Sequence, residues 1–331
     1  MRIRSAKEYD TLRNKPEPEN TRRTLPKLHL SENQTKVISD KYLRDAATPE
    51  AWLDGVVHNV ALAELLQHPD AEKWGVFDGI NHAALPNPSA GHKASRTLLF
   101  HEGLAESHQR DDNFAKLVKN LETAYTTHPE ARKLVDTWSI RYYESIARWD
   151  FLPNSPTLMN AGRELQQLSA CYVLPVPDSM EGITKSLAAQ SLIQKSGGGT
   201  GFSFSRLRAK GDVVKKTQGV ASGAISFMQI FDKMTDVVKQ GGTRRGANMG
   251  ILHYTHPEIR EFISMKSQSS TMENFNVSVS IDERFMKAVL ADAEYDLVNP
   301  RTKEVAGKAR AKEIFDMMVE YSWKSGDPGF V

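Results

Sequence analysis

The sequence predicts two regions of different texture: a mostly helical stretch over 31–150 and an α/β region over 151–331. Three observations carry this. Apolar residues between Ser31 and Trp149 recur at helical spacing. After Trp149, short apolar or alternating runs alternate with helical patterns, as in an α/β layout with parallel pairing. Helix-start signals punctuate both regions. The 331 residues set 43 basic against 41 acidic side chains, a formal charge of +2, which does not indicate a dedicated nucleic-acid binder. No apolar run reaches the ~18 residues that cross a bilayer, and the opening residues lack the apolar core of a secretory signal. A cytoplasmic setting is expected. One cysteine, Cys171, excludes a disulfide or a multi-cysteine metal site within these residues.

Residues 1–30 carry Lys15-Pro16-Glu17-Pro18-Glu19 and little periodicity, so they read as a flexible lead-in or a docking arm. Ser31 with Gln34 makes a capping box, and Thr48-Pro49-Glu50 joins a cap, a first-turn proline and an acid. Trp52, Val56, Val60 and Ala63 then fall on one helical face. The stretch 75–102 reads as loop and turn. Helices are expected over 114–125 and 129–149, the second with Leu134, Trp138, Tyr142 and Ile146 along one stripe.

In the second region, Cys171 to Leu174 reads as a strand, with a helix expected from Asp178 because Asp178 and Glu181 have capping-box spacing. That motif is either a plain cap or a helix start whose Asp178 binds a sugar hydroxyl. A strand is expected at Gly201 to Ser205 and a helix over 225–239 with Phe227, Phe231, Met234 and Val238 on one face. Further strands are expected at Met249 to Tyr254 and, with alternating character, Phe275 to Val279. A last helix spans 311–323. The sequence closes on a turn at Gly326 to Gly329 and the opening of an apolar run with no visible strand partner.

Four glycines in the five positions 197–201 permit positive φ and close ligand approach. They follow a helix and precede a strand, the reverse of a phosphate loop, so a dinucleotide or P-loop fingerprint is not supported. Contact with a base or ribose competes there with tight helix–strand packing. Two basic loops flank the 225–239 helix: Arg206, Arg208, Lys210, Lys215 and Lys216 around Gly211, and Gly241 to Asn248 with Arg244 and Arg245. Arginine forks and lysine charges suit phosphate oxygens, although a solvated basic surface would look the same. The ten histidines form no metal-binding pattern, and no hydrolytic constellation stands out.

Taken together, the runs Phe151 to Gly162, Leu168 to Met180, Gly197 to Arg208 and Lys239 to Gly250 closely resemble the adenosylcobalamin-dependent (class II) ribonucleotide reductases. The resemblance covers about 31–331. It implies a helical region followed by the first half of a ten-stranded α/β barrel. It implies adenosylcobalamin as cofactor and radical reduction of a ribonucleotide. By the same resemblance Cys171 is the first of two reducing cysteines, Ser155 contacts a substrate phosphate, Ala170 and Cys171 line the ribose, and Gly199 lies beside the substrate. Asp178, Ser179 and Met180 would hold the deoxynucleoside of an allosteric dNTP or ATP effector, with Arg208 and Lys215 on its phosphates. Gly242 to Asn248 would be the loop reporting effector identity, with Arg244 as its contact.

The family's chemistry uses three cysteines, and this sequence has one. The expectation is therefore that a C-terminal reductase segment on another polypeptide, from a split gene or an intein-separated remainder, completes the enzyme. A thioredoxin-type reductant and a homodimer are further expected partners, with no membrane or direct nucleic-acid contact. The competing readings are a nucleotide-binding and dimerisation module without reductase activity, and part of a class I large subunit.

Overall fold

The computed structural model describes residues 26–80, 104–163, 166–214, 219–240, 244–267 and 272–331. The chain divides into two compact units after Leu168. Residues 1–25 of the 1–30 lead-in and most of the 75–102 stretch lie outside the described residues.

The first unit is helical. Ser31 caps α1 (Glu32–Ile38) through the full capping box: its hydroxyl accepts the Gln34 N–H and the Gln34 side chain accepts the Ser31 N–H. A π-helical turn, Ser39–Leu43, follows. Thr48 caps α2 (Pro49–Ala61), with proline in the first turn. Trp52, Leu53, Val56 and Val57 of α2 pack with Tyr143. Ala63 does not continue that face: from Leu62 to Gln67 the chain tightens to a 3-10 helix, which changes the phase and leaves Ala63 exposed.

Two longer helices complete this layer, α3 (Leu104–Thr127) and α4 (Pro129–Ala147). In α4 the fully buried row is Ala131, Val135, Ser139 and Tyr143. The expected stripe Leu134, Trp138, Tyr142 and Ile146 lies one residue round and is only half-buried, because α4 packs over a face wider than one stripe. The short α5 (Ser155–Asn160) also belongs here: Trp52 Nε1 donates to the Leu158 carbonyl at 3.0 Å. The helical unit thus runs about eighteen residues past the change of texture at Trp149, since α5 packs on α2.

The second unit is built on a five-stranded sheet. Its strands are β1 (Cys171–Pro175), β2 (Gly199–Ser203), β7 (Asn248–His253), β8 (Phe275–Ser280) and β11 (Gly329–Phe330), in that spatial order and all parallel. Each successive strand adds on the same side, with no reversal of order. That is how a barrel winds, whereas doubly wound sheets switch direction. The segments between carry α6 (Met180–Lys195), the two-residue pair β3 (Val213–Val214) and β4 (Gly219–Val220), and α7 (Ala224–Val237). Next come the pair β5 (Lys239–Gln240) and β6 (Arg244–Arg245), α8 (Ile259–Ser264) and α9 (Glu283–Leu290). An antiparallel hairpin of β9 (Glu294–Val298) and β10 (Val305–Arg310) precedes α10 (Ala311–Ser325). The sequence patterns did not reveal this hairpin, whose strands are mostly exposed, with Ala309 alone fully buried.

Alternate residues of the strands are buried on the helix side: Leu174; Thr200 and Phe202; Asn248, Gly250 and Leu252; Phe275, Val277 and Val279. An aromatic cluster forms there, with Phe231 of α7 4.7 Å from Phe202 and 5.5 Å from Phe204 by ring centroids. The buried row of α7 is Ala224, Met228, Phe231 and Thr235, so the expected face containing Phe227, Met234 and Val238 is turned partly outward. β8 departs from strict alternation because β11 runs beside it and covers Ser278. The apolar run at Phe330 therefore has a strand partner, contrary to the sequence expectation.

Phe231→Ala would remove the centre of the aromatic cluster. It should destabilise the second unit by about 3–5 kcal/mol, measured as a shift in the urea midpoint at unchanged slope.

Candidate functional site

Parallel strands begin at one end of the sheet and finish at the other, so the candidate residues sort into two groups.

At the strand starts, Cys171 opens β1 and is exposed. It is in register with Gly199, whose N–H donates to the Ala170 carbonyl at 2.7 Å. The glycine run divides by task. Gly197 (φ +92°) closes α6: its N–H bonds to the Gln194 carbonyl and that of Gly198 to the Ile193 carbonyl, a Schellman cap. Gly198 packs: a Cβ there would fall 2.7 Å from both Ile193 and Tyr172. Gly199 and Gly201 lie on the face away from the helices, in the row next to Cys171 and Val173. The Cys171 sulfur therefore stands beside a strip of strand that carries no side chain. Close approach and tight packing both operate in this run, at different glycines.

At the strand finishes, Asp178 follows β1 and the 206–212 loop follows β2. Arg208 Nε donates to both carboxylate oxygens of Asp178 at 3.1 and 3.0 Å, and its Nη2 lies 2.9 Å from Oδ2. The Arg208 backbone N–H reaches the same carboxylate at 3.3 Å. Ser179, rather than Asp178, caps α6, accepting the Gly182 N–H at 3.1 Å from an extended backbone. Asp178 sits one residue too early for the cap, and its carboxylate is taken by Arg208. Met180, in the first turn, is exposed. Arg206 and Lys210 are the exposed cations of the described loop.

Three further anchors fix this loop. His256 is buried; its Nδ1 accepts the Glu258 N–H at 3.1 Å, so its Nε2–H donates to the Leu207 carbonyl at 2.9 Å. The buried Glu258 carboxylate accepts from Lys210 N at 3.2 Å and Ala224 N at 2.9 Å, capping α7 where Gly223 (φ +95°) has no side chain to do so. Burial pushes the Glu258 carboxyl up and holds His256 below its ordinary range, against the pull of their backbone partners. Arg301 holds Asp212 with a fork, Nη2 to Oδ1 at 2.7 Å and Nε to Oδ2 at 3.1 Å, and Asn299 adds a bond at 3.2 Å. A buried acid two residues from a buried histidine has no periodic signature.

Ser155 belongs to the helical unit, where it opens α5 after the Asn154 cap and its hydroxyl accepts from Tyr42 Oη at 3.3 Å. Arg244 pairs with Gln240 through the backbone in the β5–β6 hairpin. Its side chain and the whole of Lys215 and Gly242 lie outside the described residues. Among the described residues no cluster of His, Cys, Asp and Glu could hold a metal ion, and no helix is long and apolar enough to cross a membrane.

Comparison with known proteins agrees with this division. Residues 28–166 match the ribonucleotide reductase all-alpha domain and 169–331 the ribonucleotide reductase barrel domain. A vitamin B12-dependent ribonucleoside-diphosphate reductase from Thermoplasma acidophilum is 57% identical over 192 residues, covering 58% of this chain and 25% of that protein. One from Mycobacterium tuberculosis is 40% identical over 221 residues, 66% of this chain and 31% of the relative. The ribonucleoside-diphosphate reductase subunit alpha of Helicobacter pylori is 32% identical over 166 residues, 49% of this chain and 21% of the relative. The chain thus spans about a quarter to a third of the length of these vitamin B12-dependent relatives.

The His256 anchor gives a pH test. With its folded-state pKa held below 6.5, the unfolded chain takes up a proton first as pH falls. The stability His256 contributes is therefore whole above about pH 6.5 and is lost as pH drops through the folded-state pKa. His256→Gln cannot titrate, so the gap in melting temperature between wild type and variant should narrow as pH falls from about 7 to about 5.

Proposed function

The chain belongs to the ribonucleotide reductase family, and we propose that it contributes the helical domain and the opening strands of the barrel to a vitamin B12-dependent enzyme that reduces ribonucleotides to deoxyribonucleotides. The observation that carries this reading is the exposed Cys171 at the start of β1, set against the side-chain-free strip of Gly199 and Gly201.

In this reading two thiols together give up two hydrogens, closing a disulfide, while the ribose loses its 2′-hydroxyl as water and gains a hydrogen in its place. Cys171 is one of these thiols. The second, and the thiol that carries the radical, come from sequence outside these 331 residues, since Cys171 is the single cysteine here. A thioredoxin-type protein then reduces the disulfide. Cobalamin supplies the radical that starts the reaction when bound. No side chain of this chain is assigned to holding the cofactor. The Ala170 carbonyl and Gly199 fix the backbone next to the thiol through their 2.7 Å bond, and Ser155 is the proposed contact for a substrate phosphate.

The platform of Asp178, Ser179, Met180 and Arg208 is the proposed effector site for a dNTP or ATP. Arg208, anchored on Asp178, and Lys215 are the proposed phosphate contacts, with Arg206 and Lys210 as exposed cations of the same loop as Arg208. Arg244, in the loop that enters β7 at the other end of the sheet, is the proposed contact that reports effector identity. A homodimer fits the outer surfaces of α6 and α7, where Met180, Leu192, Ile230 and Val237 are exposed large hydrophobics. Such a reaction belongs in the cytoplasm.

Two measurements test the proposal. Calorimetric titration with dTTP and dATP should show binding to this chain, weakened about tenfold or more in Arg208→Ala, as loss of a charge-assisted anchor implies. Mixed with a polypeptide carrying the remaining barrel strands, adenosylcobalamin, a ribonucleotide and thioredoxin, the chain should yield deoxyribonucleotide, and Cys171→Ser should abolish the yield. A well-folded mixture making none, or a fully active Cys171→Ser, would overturn the reading.

A further inference from the structure

Between α6 and α7, on the helix side of the sheet, five polar side chains are almost wholly buried: Gln190, Gln194, Thr200, Thr235 and Asn248, none more than 4% exposed. Gln190 Nε2 donates to Thr235 Oγ1 at 2.8 Å and to the Phe231 carbonyl at 3.0 Å. Gln194 Nε2 reaches Asn248 Oδ1 at 2.9 Å and Thr235 Oγ1 at 3.1 Å. Thr200 Oγ1 donates to Asn248 Oδ1, and Asn248 Nδ2 to Thr235 Oγ1, both at 2.8 Å. Four elements meet in this cluster: α6, β2, α7 and β7.

Its position gives it a task. Thr235 lies on the helix that enters the 239–248 loop and Asn248 on the strand that leaves it, so both stems of the loop end on the same hydrogen-bonded group. Thr200 adjoins Gly199. The Gln194 carboxamide presses on Gly246, where a Cβ would fall 2.9 Å from its Cδ and Oε1. The carbonyl oxygens of Gln190 and Gln194 accept no hydrogen bond from the described residues. A buried acceptor left unpaired costs stability, so these amides are poorly explained as simple stabilisers. Meanwhile α6 and α7 both start at the far end of the sheet, α6 at Ser179 beside the Asp178–Arg208 pair and α7 at the Glu258 cap.

We propose that Gln194 is a positioning residue, the joint through which α6 sets the placement of the Gly246 end of the loop and of the neighbouring Gly199–Thr200 backbone. Resting on the reductase reading, the joint is where a nucleotide held at the start of α6 reaches the loop that selects the substrate.

Hydrogen–deuterium exchange on this chain tests it. Gln194→Met keeps the length and bulk of the side chain and removes the amide. Nucleotide-free, the variant should melt near wild type yet exchange about tenfold faster in peptides covering 246–250 and 199–201, the cost of losing the amide's two or more bonds, with 275–280 unchanged. Thr235→Val removes the shared hydroxyl and should do the same, which keeps the test decisive if one variant fails to fold. Exchange within about twofold of wild type in both peptides would show that packing alone places the loop and would overturn the proposal. In a second arm, dTTP should slow exchange over 178–181 and 206–212 in both proteins, but over 246–250 in wild type alone. Absence of any dTTP effect in wild type would count against the effector site, while the joint is judged on the nucleotide-free arm.

Discussion

Parallel strand pairing is the constraint on which the second unit depends. A parallel partner cannot be reached by a tight turn, so every strand must be followed by a return segment of a dozen residues or more. In this chain the returns after β1 and β2 are α6 and α7. They carry the chain back from the strand finishes, where the loop anchored by Asp178, His256 and Glu258 lies, to the strand starts, where Cys171 and Gly199 lie. A strand of five residues is roughly 16 Å long and α6 roughly 24 Å. The two ends are too far apart for direct contact between their side chains, and α6 and α7 are the packed elements that run from one to the other.

Much of this was legible in the sequence because it obeys local rules. Ser31 with Gln34, Thr48 with Pro49, and the strands at Cys171 and Met249 announce themselves through capping chemistry and apolar runs. The two-region division was legible too. Errors of phase arose where a helix meets neighbours on more than one side: α4 and α7 bury rows displaced from the ones that aromatic residues suggested. Bulky side chains at the margins of a contact mislead when small residues such as Ala131, Ala224 and Thr235 let the backbones approach.

The candidate site was legible as segments rather than as an arrangement. Cys171, Gly199, Asp178 and Arg208 could be named, but the pairing of Asp178 with Arg208 joins residues thirty positions apart. The grip of Arg301 on Asp212 spans eighty-nine. Neither has a local signal. The Gln190/Gln194 pair did leave one: two amides four residues apart on a helix face that is otherwise small or apolar, which is an expensive thing to bury without a use.

The contact between Gly223 and Glu258 limits which substitutions the chain can accept. A methyl group at 223 would sit 2.5 Å from a carboxylate oxygen of Glu258, on a backbone already at φ +95°. Shortening residue 258 relieves the crowding but uncaps α7, and glycine at 223 provides no side chain to replace the lost acceptor. In a saturation library the two sites are therefore not independent: neither position can be optimised alone, and the viable combinations form a narrow ridge around the glycine–glutamate pair.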